Sequence, residues 1–331
     1  MRAESRLLAG VLLLTSALGG PSAAFAQARL TVVNGDAPGT GFNDTTPRTP
    51  EGGNPATTLG TQRLLAFRRA AGIWAGLIDS DVEIRVLASF APLACSSTSA
   101  VLGAAGTRFV LRDFPGAPFA NTWYGAALAD RLAGTELLDP GTAHIGATFN
   151  LQLDGDCAFP QRWYYGLDSR PGPAEIDFVS VVLHELTHGL GFQTFVDVDT
   201  GARLQNRNDA YMRFLFDRSQ GPWPELTDAG RRASIVNSGN LLWSGSWVGR
   251  FTTGLGFVSG FDVRNALDSD FAWMFAPNPV QRGSSVSHWD TTLTPPELMR
   301  HTYQGANHTP TLSWYLLHDL GWFGQEGPPF P

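Results

Sequence analysis

The segment DFVSVVLHELTHGL, residues 177–190, is the feature that most constrains how this chain can fold. Its apolar residues lie on every side of a helical projection, which predicts a helix that is buried all round. His184 and His188 stand four residues apart and therefore share one face of that helix, with Glu185 directly after the first. Two buried imidazoles without partners destabilise a fold, whereas a metal ion bound to both of them removes the difficulty.

The H-E-x-x-H spacing is typical of a catalytic zinc site. Imidazole nitrogens placed in this way can converge on one ion at about 2.0 Å. Glu185 then points beside the ion, where its carboxylate can accept a proton from water that the metal activates. The alternative is two structural histidines in a buried helix, but a chance match to the motif is rare in a chain with only seven histidines.

A catalytic zinc ion usually has three protein ligands, so the two helical histidines are not enough. Gly191, seven residues after His184, allows a sharp turn at the end of the helix. The longer motif H-E-x-x-H-x-x-G-x-x-H would place its third histidine where this chain has Thr194, a poor zinc ligand. The third ligand must then come from elsewhere. The candidates are the other histidines and two carboxylates: His144, His288, His301, His308, His318, Asp197 and Asp209.

Three short segments, HELTHGLGF (184–192), SHWD (287–290) and ELM (297–299), resemble the leishmanolysin group of metzincin zinc metalloproteases and its bacterial secreted relatives. In that group a long insertion displaces the third histidine. The resemblance implies that His288 is the third metal ligand and that Met299 lies in a tight turn beneath the metal. It covers the chain in outline and is specific only at these three segments.

The resemblance also implies a function. We expect a secreted zinc-dependent endopeptidase that holds one Zn²⁺ ion and cleaves protein or peptide substrates with Glu185 as the general base. Some metzincins use a tyrosine just past the methionine turn to stabilise an oxyanion, which makes Tyr303 a candidate for that role or for core packing. Asp290 is a candidate hydrogen-bond partner for the ring of His288, or a solvated loop residue.

Two other functions remain open. A metal-binding adhesion or protein-binding module could keep the same fold with little or no proteolytic activity. A zinc hydrolase could instead act on a bond other than a peptide bond. A digest of a peptide library separates the first from a protease, and turnover of esters or glycans identifies the second.

The order of periodic segments predicts an α+β fold, which the resemblance makes a metzincin-like zincin. The N-terminal lobe, residues 27–192, is expected to hold a twisted mixed sheet and two long helices, at 61–78 and 177–190. The C-terminal lobe, residues 193–331, is expected to return His288 and Met299 beneath the metal. It closes with a helix at 311–322.

Shorter patterns predict the remaining elements. Strands are expected at 29–35, 82–90, 108–114 and 144–153, and a further helix at 208–217. We expect the strand over 143–152 to form the edge of the sheet that faces the cleft. An extended peptide could add to such an edge as a further strand.

The first 26 residues predict a secretory signal peptide. Arg2 and Arg6 precede an apolar run at 7–18, and Ala24 and Ala26 supply the small residues before a cleavage site. An uncleaved anchor is the alternative, although the run is short for a membrane span. No later segment is apolar enough to cross a membrane, so we expect a secreted or periplasmic protein.

Cys95 and Cys157 are the only cysteines, and an isolated pair in an exported protein predicts a disulfide. All 23 basic residues are arginine, the net charge is −7, and no dense basic run occurs, which argues against a nucleic-acid partner. We expect a monomer. Acidic residues two apart at 153–157 and 196–201 leave calcium binding open, although neither segment has the full ligand spacing.

Overall fold

A computed structural model describes residues 27–251, 261–264 and 269–322, and within these ranges the protein is a mixed α+β fold, as predicted. The predicted signal peptide lies outside the described residues. The six helices of the described part are α1 (Leu59–Leu77), α2 (Ala126–Ala133), α3 (Phe178–Leu190), α4 (Asp228–Ser234), α5 (Ser246–Phe251) and α6 (Thr311–Leu320). Its strands are β1 (Leu30–Asn34), β2 (Ile84–Ala91), β3 (Gly103–Thr107), β4 (Val110–Leu111), β5 (Thr122–Gly125), β6 (Ile145–Asn150), β7 (Arg162–Tyr164), β8 (Glu175–Asp177), β9 (Asn208–Asp209), β10 (Leu215–Asp217), β11 (Gly221–Pro222), β12 (Leu241–Trp243), β13 (Phe261–Arg264) and β14 (Ser269–Trp273).

The N-terminal part is built on a mixed sheet with the strand order β1-β2-β6-β3. β1, β2 and β6 run parallel, and β3 runs antiparallel to β6. The side chains of β2 alternate between buried and half-buried, because one face of the sheet packs on the core. α1 and α3 pack side by side on this sheet, and the indole N–H of Trp74 in α1 donates to the carbonyl of Leu183 in α3 at 3.1 Å.

The prediction that residues 143–152 form the edge of the sheet is wrong. Residues 143–152 contain β6, which lies between β2 and β3, so its backbone hydrogen bonds are used within the sheet. The edge strand is β3, whose sequence is GAAGT. Because this strand has no large apolar side chain and no alternation, periodicity could not reveal it. The strand predicted over 108–114 is reduced to the two residues of β4.

Helix α3 has well-defined ends. Asp177 caps its N-terminus, and the carboxylate accepts a hydrogen bond from the backbone N–H of Ser180 at 2.7 Å. Gly191 ends the helix with φ of 132°, and its N–H donates to the carbonyl of His188 at 3.0 Å. A Cβ atom at Gly191 would lie 3.0 Å from Leu320 of α6, so both the backbone conformation and the packing require glycine here.

The helix predicted over 208–217 is also wrong. The segment forms β9, a short 3₁₀ turn and β10. The buried carboxylate of Asp209 accepts hydrogen bonds from the backbone N–H groups of Phe195 and Met212, both at 2.7 Å. This side chain ties the segment to the chain that follows α3, and tertiary contact therefore overrides the helical pattern. β10 continues into an antiparallel sheet with the order β11-β10-β12-β14-β13.

The predicted closing helix and the predicted disulfide are both confirmed. α6 occupies most of the expected range, and the indole N–H of Trp314 within it donates to the carbonyl of Leu77 at 2.8 Å. Cys95 and Cys157 are bonded, with their Cα atoms 5.8 Å apart. The bond joins the loop after β2 to the loop after β6. Within the described ranges, every helix is too short or too polar to span a lipid bilayer.

Candidate metal centre

Three histidines from two distant parts of the chain meet at the middle of α3. The ligand atoms of His184, His188 and His288 all lie within 4.8 Å of one another, close enough to hold one metal ion. The Nε2 atoms of His184 and His288 are 3.1 Å apart. Of the candidates for a third ligand, the structure brings His288 to the helical pair, 104 residues along the chain from His184.

Each of these rings is oriented by a backbone carbonyl on its other side. Nδ1 of His184 lies 2.9 Å from the carbonyl oxygen of Leu298, and Nδ1 of His188 lies 2.8 Å from that of Phe192. Nδ1 of His288 lies 2.8 Å from the carbonyl oxygen of Ser284. A carbonyl can only accept, so each Nδ1 carries the proton and each Nε2 presents a lone pair to the centre.

Burial keeps these rings neutral. It lowers the pKa of His184 from its ordinary value to about 4. Burial, together with the neighbouring His184, lowers the pKa of His188 to about 3. The pKa of His288 also falls well below its ordinary value, again because the ring is buried. Three neutral imidazoles are the form in which histidine binds a metal ion.

The loop that delivers His288 is fastened to the methionine turn and to the core. The backbone N–H of Trp289 donates to the carbonyl of Met299 at 2.9 Å, and the buried Met299 follows the residue whose carbonyl orients His184. Val286, two residues before the ligand, has φ of 73°, a strained conformation for a β-branched residue. The hydroxyl of Tyr211 donates to the carbonyl of Val286 at 2.9 Å and helps to hold it there.

Glu185 lies between the metal-facing histidines and the edge strand. Its side chain is 6% exposed, and burial raises its pKa to about 8, although a hydrogen bond from the backbone N–H of Ala105 opposes the rise. A Cβ atom at Gly103 would lie 3.1 Å from Cγ of Glu185. The glycine therefore allows β3 to run close past the carboxylate.

The centre opens into a cleft, a cavity of about 1020 Å³. One wall is β3 and the loop before it, and another is the first half of α3, including Val181. The loop after α3, the loop that carries His288 and residues 296–307 complete the lining. The three histidines and Glu185 all face this cavity, so a ligand within it can reach them.

The other candidates for a third ligand have different partners. Nε2 of His308 pairs with the carboxylate of Asp177 at 2.8 Å. Asp209 accepts from the hydroxyl of Thr194, the residue at the usual third position, at 2.8 Å. Asp197 caps its own turn by accepting from the hydroxyl of Thr200 at 2.9 Å. His144 pairs with a buried aspartate, His301 stacks on Phe275 and His318 stacks on Trp247.

Asp290 neither orients the ring of His288 nor lies in a solvated loop, since it is buried, so both roles considered for it are wrong. The partner of that ring is the carbonyl of Ser284, and the carboxylate of Asp290 accepts from the N–H and the hydroxyl of Thr292. An aspartate two residues from a ligand resembles a ring partner in sequence, but here it shapes its own turn.

Tyr303 lines the cavity, as a residue that contacts a bound substrate would. Its hydroxyl oxygen accepts from the backbone N–H of Asp177 at 3.0 Å, and burial raises its pKa to about 12. The phenol therefore stays protonated and keeps its own hydrogen to donate. Its role as an oxyanion donor stays a prediction.

In each of the two segments considered for calcium, 153–157 and 196–201, a carboxylate pairs with an arginine. Asp154 accepts from the buried guanidinium of Arg63 at 2.6 Å. Asp199 pairs with Arg282 at 2.9 Å. Among the residues that the structure describes, no group of three or more possible ligands other than the three histidines lies close enough together for a metal.

The sequence assigned no role to one important residue, Glu297, although it begins the segment ELM. Glu297 is buried, and its carboxylate accepts from the backbone N–H of Met299 at 3.2 Å and from the hydroxyl of Ser313 at 2.6 Å. It also accepts from the N–H of Leu312 at 3.1 Å, and so caps α6, whose N-cap residue Pro310 has no capping side chain. One carboxylate thereby joins the methionine turn to the closing helix.

Comparisons of this chain with protein-family models, with curated proteins and with solved structures give no match. The geometry of the centre therefore carries the functional conclusion.

Proposed function

We propose that this protein is a secreted zinc-dependent endopeptidase of metzincin type. The observation that carries the proposal is the set of three inward-facing Nε2 atoms, each fixed by a backbone carbonyl on the opposite nitrogen, with Glu185 beside them in an open cavity. A structural metal site would be closed by a fourth protein ligand, whereas three ligands and a cavity leave a position for chemistry.

The donor set suits zinc. Three neutral imidazoles match the preference of Zn²⁺ for nitrogen ligands and tetrahedral geometry. When bound there, the ion would supply Lewis acidity toward a scissile carbonyl and toward water. His184, His188 and His288 are the residues that would hold it, and their Nδ1–H groups keep them aligned.

Glu185 is placed to move protons. Its carboxylate would accept a proton from the attacking water and then deliver it to the amine that leaves. Its pKa of about 8 reflects burial, and beside a bound cation this value falls, which favours the basic form. The hydrogen bond from Ala105 holds the carboxylate at the edge strand, close to where a peptide would lie.

The edge strand favours polypeptides as substrates. The carbonyl of Leu102 accepts from Asn150, and the N–H of Arg108 donates to His144, so these residues point toward β6. The alternation of antiparallel pairing then turns the peptide groups of Gly103, Ala105 and Thr107 outward, and of these the N–H of Ala105 already donates to Glu185. An extended peptide could add to this edge and lie across the metal centre.

The experiment is a comparison of Glu185→Gln with the wild-type protein. We expect the variant to keep its zinc, measured by elemental analysis, and to lose at least about a hundredfold in cleavage of a peptide library, since the base is lost and the ligands are not. The exposed Glu225 offers a matched control, because Glu225→Gln makes the same chemical change far from the cavity.

Three results would refute the proposal. One is full activity in Glu185→Gln. Another is a wild-type protein that carries zinc and cleaves no peptide, as an adhesion module would. The third is turnover of esters or glycans without any peptide cleavage.

A further inference from the structure

Two segments that meet beside the cleft carry a local excess of positive charge. Residues 108–123 and 203–213 contain five arginines and two aspartates, a net charge of +3, in a chain whose net charge is −7. Of the two aspartates, Asp209 is buried and Asp113 is paired with Arg112. The segments join where β5 pairs with β9, and where the indole N–H of Trp123 donates to the carbonyl of Leu204 at 3.1 Å.

This surface combines arginines with exposed apolar side chains. We call it the basic–aromatic face and define it by Arg112, Phe119, Trp123, Leu204, Arg207 and Arg213. The guanidinium of Arg112 lies 5.4 Å from the centre of the Trp123 ring, and that of Arg213 lies 4.0 Å from the centre of the Phe119 ring. The positive charges of Arg112 and Arg207 act on the same carboxylate, that of Asp113.

Rings that pack on guanidinium planes suit the binding of carboxylates. They restrict the orientation of the cation. Part of each guanidinium is already engaged, since Arg112 pairs with Asp113, Arg213 donates from Nε and Nη2 to the hydroxyl of Thr122, and Arg207 donates from Nη1 to the carbonyl of Gln205. The N–H groups that these contacts do not use can bind a carboxylate. Phe119 is 44% exposed and Leu204 is 37% exposed, so both lie in the surface rather than project from it. Insertion into a bilayer would need side chains that reach past the surface, and a polypeptide needs only contact with it.

The face borders the cleft at the C-terminal end of the edge strand. Arg108 lies three residues beyond Ala105, which contacts Glu185, and three residues of strand span about 10 Å. From there the chain passes directly into β4, which pairs with β5 of the face. On the other side, Thr194 in the cleft wall bonds to Asp209 of β9.

The direction of the edge strand decides which part of a substrate reaches the face. A peptide that adds antiparallel to β3 runs from the end at Thr107 toward the end at Gly103. Its N-terminal portion therefore lies toward Thr107 and the basic–aromatic face, upstream of the bond next to Glu185.

We infer that the basic–aromatic face binds acidic side chains located upstream of the scissile bond. The preferred substrates are then polypeptides with an acidic stretch about four to eight residues before the cleavage site, given about 3.4 Å per residue in an extended chain. This inference rests on the proposed function, since it concerns the substrate of the same cleft.

The experiment compares three fluorogenic peptides that share one neutral cleavable core. The first has an N-terminal Asp/Glu extension, the second has an N-terminal Ser/Gly extension of equal length, and the third has the acidic extension at its C-terminus. Each is tested on the zinc-loaded wild-type protein, on the double variant Arg112→Gln with Arg207→Gln, and on a control, Arg68→Gln with Arg69→Gln. The control arginines are exposed on α1 and give the same change in net charge.

We expect the N-terminal acidic extension to raise kcat/KM about tenfold over the neutral one, mainly through KM. The gain should shrink as salt shortens the Debye length from about 10 Å at 0.1 M to about 3 Å at 1 M. The face variant should cleave the acidic and neutral peptides equally. The control variant should keep the gain.

Several results would overturn the inference. These are equal cleavage of the acidic and neutral peptides by the wild type, a preference for the C-terminal extension, or a gain that survives in the face variant. Binding of the wild type, but not of the face variant, to vesicles of anionic and zwitterionic phospholipid, without any peptide preference, would assign the face to a membrane instead. Failure to cleave any of the peptides, the neutral core included, would refute the proposed function itself.

Discussion

At the scale of single residues, the metal centre depends on the proton that each imidazole carries. Three carbonyl oxygens fix that proton on Nδ1, and burial makes a second proton costly, so His188 and His288 remain neutral at their positions. A site of this kind is prepared to bind a metal, because proton competition at Nε2 is weak near neutral pH. The same buried, neutral rings lower the stability of the metal-free protein in acid.

We therefore expect the metal-free protein to lose stability as pH falls below about 6.5. In the unfolded chain these histidines bind protons with an ordinary pKa, whereas in the folded state the pKa of His188 is about 3, so acid favours unfolding. The free energy of unfolding should fall by up to about 1.4 kcal/mol per pH unit for each such histidine. Urea denaturation of chelator-treated protein at about pH 7 and about pH 5 measures this change.

The double variant His188→Gln with His288→Gln provides the comparison. Buried carboxylates with raised pKa values, such as Glu185 and Glu297, act in the opposite direction, but they are present in both proteins. The variant should lose less stability between the two pH values than the wild type does. Equal losses in the two proteins would contradict the prediction.

At the scale of elements, the turn that ends α3 also determines how His188 is oriented. Gly191 turns the chain at a positive φ, and the carbonyl of the next residue, Phe192, orients the ring of His188. The turn thus finishes the helix and positions a ligand.

Gly→Ala substitutions at the end of α3 and in the middle of α1 should have opposite effects on the free energy of unfolding. Gly191→Ala should lower the free energy of unfolding by about 1–3 kcal/mol and weaken zinc binding, because alanine tolerates neither this φ nor the contact with Leu320. Gly72 lies in the exposed middle of α1, and no atom lies within 4 Å of an added Cβ. Gly72→Ala should therefore raise the free energy of unfolding by about 0.5–1 kcal/mol. Thermal and urea denaturation measure both, and a stabilised Gly191→Ala would show that the turn is not strained by a side chain.

The elements that the sequence predicted best are those with their own periodicity. α1, α3 and α6 follow from apolar stripes or from a motif. His288 is indicated by the resemblance that three short segments carry together. β3 could not be predicted, because GAAGT presents no pattern and becomes a strand only through pairing with β6. Glu297 could not be identified either, since its partner Ser313, 16 residues further along the chain, becomes its neighbour only in the folded protein.

At the scale of the whole molecule, the metal would join two distant parts of the chain. α3 would contribute two ligands, and the loop at His288 would contribute the third from 104 residues further on. A bond of this kind stabilises the folded state only, because the unfolded chain does not hold the three rings together.

Removal of zinc should therefore lower the melting temperature. With zinc at about a thousand times its dissociation constant, binding adds about 4 kcal/mol, which corresponds to a shift on the order of 10 °C for a chain of this size. Differential scanning calorimetry with and without a chelator measures the shift. His288→Ala should abolish most of the shift, whereas Asp290→Asn should retain it, because the carboxylate of Asp290 accepts from Thr292 within its own turn. An unchanged shift in His288→Ala would remove that residue from the ligand set.

The double attachment of Glu297 bears on when during synthesis the protein could become active. Its carboxylate needs both the turn at Met299 and the first residues of α6, which the ribosome adds after all three histidines. A nascent chain that stops before α6 has the histidines of α3 but lacks the support for the loop that brings the third. On the proposed function, a translation product that stops before α6 would remain harmless to its surroundings, and hydrolysis would begin only once α6 has docked.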